Sequence, residues 1–208
     1  MIDAITLENA HLAGAALPSA HRLRYRIFVE RQKYATPHGR GMEWDQFDTP
    51  LAVHLIWRDE QGEARGVARL LPTTHPYMIK ELWSHVVPKF ALPCAPDVWE
   101  ITRFGVDRRL GPRRRQVFGE LVGALFDYGL SHGIARYLCL TPLTVIENAL
   151  LAAGCEVEIL CPPTELGGIP SIVAQFPVTP ENAERVRRHH GVAADLVRIP
   201  MEAQALAA

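Results

Sequence analysis

The stretch VWEITRFGV, residues 98–106, decides the fold. Its β-branched and aromatic residues predict a strand, and its apolar run is that of a core strand. Two charges interrupt it. Glu100 and Arg103 are three positions apart, so a regular strand would point them to opposite faces. A charge inside such a strand is costly unless it is paired.

Strands and helices alternate on either side of this segment. Upstream, LAVHLIW (51–57) and RGVARLLP (65–72) form the two arms of a hairpin. YMIKELWSHV (77–86) reads as a short helix. Downstream, 112–133 is the longest helix, opened by Pro112 and closed by Gly133. ARYLCL (135–140) is a strand, 142–154 a helix, 155–160 and 169–178 strands, and 179–191 a helix with Thr179 as its N-cap. Helical spacing of Leu17, Leu23, Ile27 and Phe28 predicts a helix over 17–33, and the Gly, Pro and Asp content of 34–50 predicts a loop. The order implies an α/β fold: one domain over 1–208, an α-β-α sandwich on a mixed, mostly antiparallel sheet, with 201–208 a frayed tail.

Net charge is −1, with 22 Lys and Arg against 23 Asp and Glu, so no global field draws in nucleic acid or a membrane surface. No apolar run approaches the ~18 residues of a membrane span, and MIDAITLENA lacks the pattern of a signal peptide. Both point to the cytoplasm. The cysteines Cys94, Cys139, Cys155 and Cys161 match no zinc spacing and read as buried free thiols. The pair His189–His190 reads as solvated surface, and no metal site is expected.

The chemistry lies in scattered charges and rings. Arg24 and Phe28 share a helix face. Asp45 and Asp48 stand in the predicted loop with Trp44 and Phe47 beside them. Arg69 sits among apolar neighbours in the second hairpin arm, and Glu100 and Arg103 in the core strand. These charges either pair with one another or surround a ligand carrying both signs. Arginines fork onto a carboxylate, acids hold an ammonium or sulfonium, and rings stack on a purine. S-adenosylmethionine carries all of these groups.

Arg24-x-x-x-Phe28, Trp44-Asp45-x-x-Asp48, Arg69 and Glu100-x-x-Arg103-Phe104 resemble the acyl-homoserine lactone synthases, by motif over about 20–110 and by element order beyond. The resemblance implies a fold like that of the GNAT acyltransferases, with a bulge near 100–104 that turns Glu100 and Arg103 into one cleft. It implies S-adenosylmethionine as co-substrate rather than a tightly bound cofactor. Phe28, Tyr34, Trp44 and Phe104 would contact it. Tyr34 stands where the family usually has tryptophan, keeping a ring face and adding a hydroxyl. Arg24, Arg69 and Arg103 would orient the carboxylate, Asp45 and Asp48 would hold the positive end or lock the arginines, and Glu100 would be the base. Residues 20–50 would form a lid over the site.

RRLGPRRR (108–115) matches only the first half of the GNAT phosphate loop: Arg108 and Gly111 fit, and Arg113 replaces a small residue. With Arg114 at a helix start, these residues suit the phosphates of an acyl carrier protein or a coenzyme A thioester. An acyl pocket is expected from Leu138, Leu140, Val145, Ile146 and Leu150, with Thr141 and Thr144 placed to contact a substituent at the third acyl carbon. The rival expectations are an ordinary GNAT N-acyltransferase and a non-catalytic ligand-binding relative.

Overall fold

The computed structural model describes residues 2–201, apart from 35, 88 and 167. Eleven strands are described: β1 Ile2–Ile5, β2 His38–Gly39, β3 Met42–Glu43, β4 Val53–Arg58, β5 Ala64–Pro72, β6 Val98–Val106, β7 Arg136–Pro142, β8 Glu158–Ile159, β9 Thr164–Leu166, β10 Ile169–Pro177 and β11 Val197–Arg198. The helices are α1 Ala16–Arg24, α2 Met78–Leu82, α3 Arg114–Ser131, α4 Leu143–Ile146 and α5 Pro180–His190. α1 runs on as a π-helical segment, Tyr25–Arg31, and α4 as a π-helical turn, Glu147–Leu151.

One sheet carries the order β11-β1-β4-β5-β6-β7-β10-β8, with β9 on β10. All its pairs are antiparallel except β1·β11 and β6·β7. The mixed, mostly antiparallel sheet expected from the sequence is present. α3 and α5 cover one face, burying Leu121, Val122, Leu125 and Phe126 of α3 with Leu55, Leu70, Ile101 and Phe176 of the sheet. α1 and its π-helical continuation cover part of the other face, with Leu17, Leu23, Ile27 and Phe28 against Ile56 and Val67. A third cluster on the other half of the sheet gathers Phe47, Leu71, Tyr77, Ile79, Leu138 and Val173.

β6 contains the expected bulge. Thr102 opposes Arg69 and Gly105 opposes Val67, so Arg103 and Phe104 together face the single residue Ala68. Arg103 takes the left-handed conformation, φ 51°, which a side chain adopts only when its surroundings hold it there. The extra residue resets the alternation of faces. Trp99, Ile101, Phe104 and Val106 face α3, while Glu100, Thr102 and Arg103 all bond toward the opposite side. Gly105 follows on that side, where a Cβ would come within 2.7 Å of the Ile27 Cδ1, so a larger residue there would require the Ile27 side chain to shift.

β6 and β7 pair only from Val98↔Arg136 to Ile101↔Cys139 and then part, β6 continuing to Val106 and β7 to Pro142. The wedge between them lies beside the bulge.

Several sequence expectations need correction. The predicted loop 34–50 contains the hairpin β2·β3. Within the 20–50 segment, Ala20, Leu23, Ile27 and Phe28 pack into the core. Of the predicted strand 155–160 only Glu158–Ile159 is paired. β1 was not legible: it has four residues, and its buried Asp3 is held by Arg58 and Arg198 at 2.7 Å each. His190 is half-buried, packs edge-on against Phe118 and sits over Gly119, and its Nε2 meets the Ala149 carbonyl at 3.1 Å. Cys94 is exposed, whereas the other three thiols are buried. The expected frayed tail falls, beyond Met201, outside the described residues.

Candidate active site

Three arginines from three elements converge on one group of acids. Arg24 closes the regular part of α1 with its side chain fully buried; its Nε donates to Glu43 at 2.5 Å, and its two Nη atoms fork onto Asp48 at 2.7 and 2.9 Å. Arg69, also fully buried, forks onto Asp45 at 2.6 and 3.0 Å, reaches Asp48 at 2.8 Å and donates its Nε to Thr102 at 2.9 Å. Arg103 donates to Glu43 at 2.9 and 3.1 Å and to Asp45 at 2.6 Å, and its guanidinium lies 5.3 Å over the Phe28 ring. Three guanidiniums therefore meet three carboxylates in a connected, internally balanced network. Forked, charge-assisted geometry of this kind is the strong form of the interaction.

Electrostatics separate the carboxylates into two kinds. Burial opposes ionisation of Asp48, yet the bond from Arg24 and the charges of Arg69 and Arg24 hold it far below the usual carboxylate range. Asp45 and Glu43 are likewise depressed against burial, Asp45 by Arg69 and Arg103, Glu43 by Arg24 and Arg103. Glu100 goes the other way. Burial pushes it up to about 7, although the N–H groups of Ile79 and Met78 and the charges of Arg69 and Arg103 favour its ionised form. Those N–H groups donate to it at 2.8 and 2.7 Å, so it caps the first turn of α2. No guanidinium bonds to Glu100 among the described residues. One carboxyl held near neutrality beside others locked as anions is the separation that general acid–base chemistry requires.

The structure thus brings Arg24, Asp45, Asp48, Arg69, Glu100, Arg103 and Phe28 together. Tyr34 joins them at the edge, its ring stacked on Phe28 with centroids 6.0 Å apart. Two expected cofactor contacts are not in the group. Trp44 is 44% exposed with its ring over Gly39; it follows Glu43, whose side chain takes the inward position. Phe104 lies on the α3 face, edge-on to Phe118 at 5.4 Å, because the bulge turns Thr102 and Arg103 to one face and leaves Phe104 on the other.

Four participants went unrecognised in the sequence. Glu43 links Arg24 to Arg103 and also accepts from Thr36 at 2.8 Å; its signal was its place beside Trp44 and Asp45. Met78 touches both Arg69 and Arg103 through sulfur. His54, fully buried on β4, has its Nε2 3.8 Å from Asp48 and, among the described residues, no partner for Nδ1. Only the three-dimensional contacts reveal Thr36, Met78 and His54.

Arg108, Gly111, Arg113 and Arg114 form an exposed turn leading into α3. Gly111 is left-handed, φ 53°. Arg113 caps the helix without a side-chain bond and stacks 5.7 Å over Trp57, and the first turn of α3 contains no acid. Arg31, from the π-helical segment, approaches this turn. Burial and then the charges of Arg108 and Arg114 lower its pKa. A helix N-terminus ringed with cations is electrostatically unfavourable when empty and suited to an anion.

The expected acyl pocket does not form as one group. Leu138 and Leu140 belong to the cluster around Tyr77, whereas Ile146 and Leu150 lie on the α3 face, because the strand end and the following helix present to different sides of the sheet. Val145 is half-buried. Thr141 is half-buried at the parted end of β7, and Thr144 is exposed.

A twisted mixed sheet with a bulged β6 and a parted β6·β7 pair defines an N-acyltransferase type of fold. A structure described as a putative N-acetyltransferase from Lactobacillus plantarum superposes at a TM-score of 0.53 with 16% identity, covering 81% of this chain and 94% of that one. The autoinducer synthase family model matches residues 9–186. The chain belongs to that family and is an acyl-homoserine-lactone synthase. An acyl-homoserine-lactone synthase of Vibrio anguillarum is 32% identical over 142 residues, 67% of this chain and 73% of its own. One from Pseudomonas aeruginosa is 27% identical over 195 residues, 91% and 94% of the two chains. A structure of the CoA-dependent synthase BjaI with SAM and isopentyl-CoA superposes at a TM-score of 0.86 with 27% identity, covering 96% and 92%.

Proposed function

We propose that the site joins S-adenosylmethionine to an acyl thioester in two steps, and that the reaction takes place in the cytoplasm. The amino group attacks the thioester carbonyl, forming the amide bond and releasing the thiol carrier. The carboxylate then attacks the carbon bonded to sulfur, closing the lactone and releasing methylthioadenosine. The observation that carries this reading is the contrast between Glu100, a buried carboxyl pushed up to about 7, and the three depressed carboxylates beside it.

An α-amino group titrates near ~7.7–8, so a base of this strength takes its proton with little penalty. Glu100 acts directly or through one water. The bulge places Arg103 and Phe104 outside the regular ladder, and a backbone N–H there stabilises the tetrahedral oxyanion. Lactonisation needs no further base, since its nucleophile is already ionised and tethered to the electrophile. Phe28, Tyr34 and the 36–48 segment cover the co-substrate, with Arg24, Arg69 and Arg103 setting its orientation.

The acyl donor enters the wedge between β6 and β7, with its phosphates at the start of α3. Arg31, Arg108 and Arg114 suit a coenzyme A thioester and the phosphopantetheine of an acyl carrier protein alike. BjaI, solved with isopentyl-CoA, supports the first source. The test is mass spectrometry of mixtures of the protein, S-adenosylmethionine and a panel of acyl-CoA and acyl-carrier-protein thioesters. Lactone and methylthioadenosine in equal amounts are expected. A simple N-acylated product without methylthioadenosine would reject the second step.

A further inference from the structure

Every side-chain partner of Arg69 and Arg103 in the network is an oxygen, with one exception. Nη2 of Arg69 points at the Met78 sulfur at 3.2 Å, and Nη1 of Arg103 points at the same sulfur at 3.4 Å. For Nη1 of Arg103 this is the sole hydrogen-bond partner among the described residues. A thioether is a weak acceptor. Buried Arg69 and half-buried Arg103 therefore spend one donor edge each on the poorest acceptor in the site, at a shared point.

Met78 is held there by its backbone, not its side chain. Its N–H donates to Glu100 at 2.7 Å, which fixes the first turn of α2 beside the candidate base. The side chain itself is half-buried and unbranched, and methionine changes rotamer at low cost. A carboxylate at the position of the sulfur would convert two weak contacts into charge-assisted ones. Because the three guanidiniums are already matched by Glu43, Asp45 and Asp48, these are the donor edges of Arg69 and Arg103 left for an incoming anion.

We infer that Met78 is a specificity-determining gate: its thioether occupies the carboxylate subsite formed by Arg69 and Arg103 and is displaced only by a co-substrate that carries a carboxylate. The inference rests on S-adenosylmethionine being the co-substrate. It gives the site a means of discriminating S-adenosylmethionine from its product methylthioadenosine, which has the same nucleoside and no carboxylate. Before the co-substrate arrives the sulfur keeps the two guanidiniums apart and partly satisfied. Afterwards it moves aside, towards the wedge through which the acyl donor approaches.

The test is calorimetric titration of S-adenosylmethionine and, separately, methylthioadenosine into the wild type, Met78→Leu and Met78→Gln, with thermal melts to confirm that both variants are folded. Leucine keeps the volume and removes the acceptor, so S-adenosylmethionine should bind about fivefold tighter, the equivalent of one modest hydrogen bond no longer displaced. Glutamine supplies a strong carbonyl acceptor at similar reach and should weaken it about tenfold. Methylthioadenosine should stay within about twofold in both. Equal shifts for the two ligands, or no shift for S-adenosylmethionine in either variant, would overturn the gate. Failure of S-adenosylmethionine to bind the wild type would instead overturn the co-substrate assignment, and the gate with it.

Discussion

Glu100 and Arg103 lie on one face of β6 and yet form no ion pair with each other. Glu100 accepts the N–H groups of Met78 and Ile79, and Arg103 donates to Glu43, Asp45 and the Met78 sulfur. Had the two paired, the arginine would have depressed the carboxyl as it does Asp45. Their separation leaves Glu100 the one carboxyl of the site near neutrality. Glu100→Gln keeps the size of the group and removes its basicity, so kcat should fall by a factor of about 10² or more. The dissociation constant for S-adenosylmethionine should change by less than about threefold. In the wild type kcat/KM should drop below about pH 7 as Glu100 takes up its proton. The pH profile of the variant should have lost that limb; its survival would place the base elsewhere.

Glu43 is fully buried and joins two of the three arginines. Removing its charge strands part of the positive charge of Arg24 and Arg103 in a desolvated site. Breaking such a buried pair costs about 3–5 kcal/mol, so Glu43→Gln should lower unfolding free energy by roughly that amount in urea titrations, and activity should fall with it. Trp44→Ala, one position along and largely solvent-facing, should cost less than about 1 kcal/mol. If the two variants behave alike, the network does not hold the 36–48 segment in place.

Much of this was legible in the sequence, and what was not has definite physical causes. The apolar, β-branched runs announced β5, β6 and β10, which are buried nearly throughout, and Pro112 and Gly133 marked the two ends of the segment that forms α3. Arg69, Glu100 and Arg103 were recognisable because charges in apolar strands demand partners, whereas Arg24, Asp45 and Asp48 stood out through the spacing of the motif they share with the synthase family. Glu43 escaped notice as one of three acids in a short acidic run, where only the alternation of β3 singles it out. Phe104 was misplaced because a bulge shifts the parity of everything after it, and the side of the slip is set by tertiary packing against Ile27 and Gly105. Met78 and His54 carry no local signal at all, since their importance comes from what other segments bring to them.

His54 gives the site a measurable response to acid. Facing it are His21 at a centroid distance of 5.9 Å and Arg24, both from α1, with Asp48 from the loop and Arg69 from the neighbouring strand β5. Burial first, then the charge of Arg24, lowers its pKa well below 6.5, while Asp48 pulls the other way. The unfolded chain therefore takes up a proton near 6.5 that the folded chain refuses. Stability from this group is full above that pH and falls by about 1.4 kcal/mol per pH unit below it. Glu100 opposes this, because its raised pKa makes the folded state the better proton acceptor between about 4.3 and 7. The two slopes offset each other in the wild type. His54→Leu removes one of them and leaves no orphaned polar atom, so the variant should gain on the wild type by about 1.4 kcal/mol per unit from pH 6.5 to 5. Denaturant titrations at pH 8, 6.5 and 5 measure that difference; parallel curves for the two proteins would show that His54 is not held neutral.

At the other end of the site, α3 begins on a turn that concentrates positive charge where the helix dipole is already positive. Arg113 caps it without a side-chain bond, no acid stands in its first turn, and the charges of Arg108 and Arg114 reach as far as Arg31. Asp107, the acid beside this turn, is already engaged by Arg26 and Arg65 and offsets Arg31 less than burial and the charges of Arg108 and Arg114 oppose it, so the natural complement of the arrangement is the phosphate of the acyl donor. Arg108→Gln and Arg114→Gln should each raise KM for the donor by about tenfold, which corresponds to one charge-assisted contact. KM for S-adenosylmethionine should be unaffected, because neither arginine touches the network around Asp48. The donor KM should also rise with ionic strength in the wild type and less steeply in the double variant, since fewer charges remain to be screened. A rise in both KM values together would mean that the turn supports the fold of the whole site. Unchanged donor kinetics in the double variant would place the phosphates away from α3.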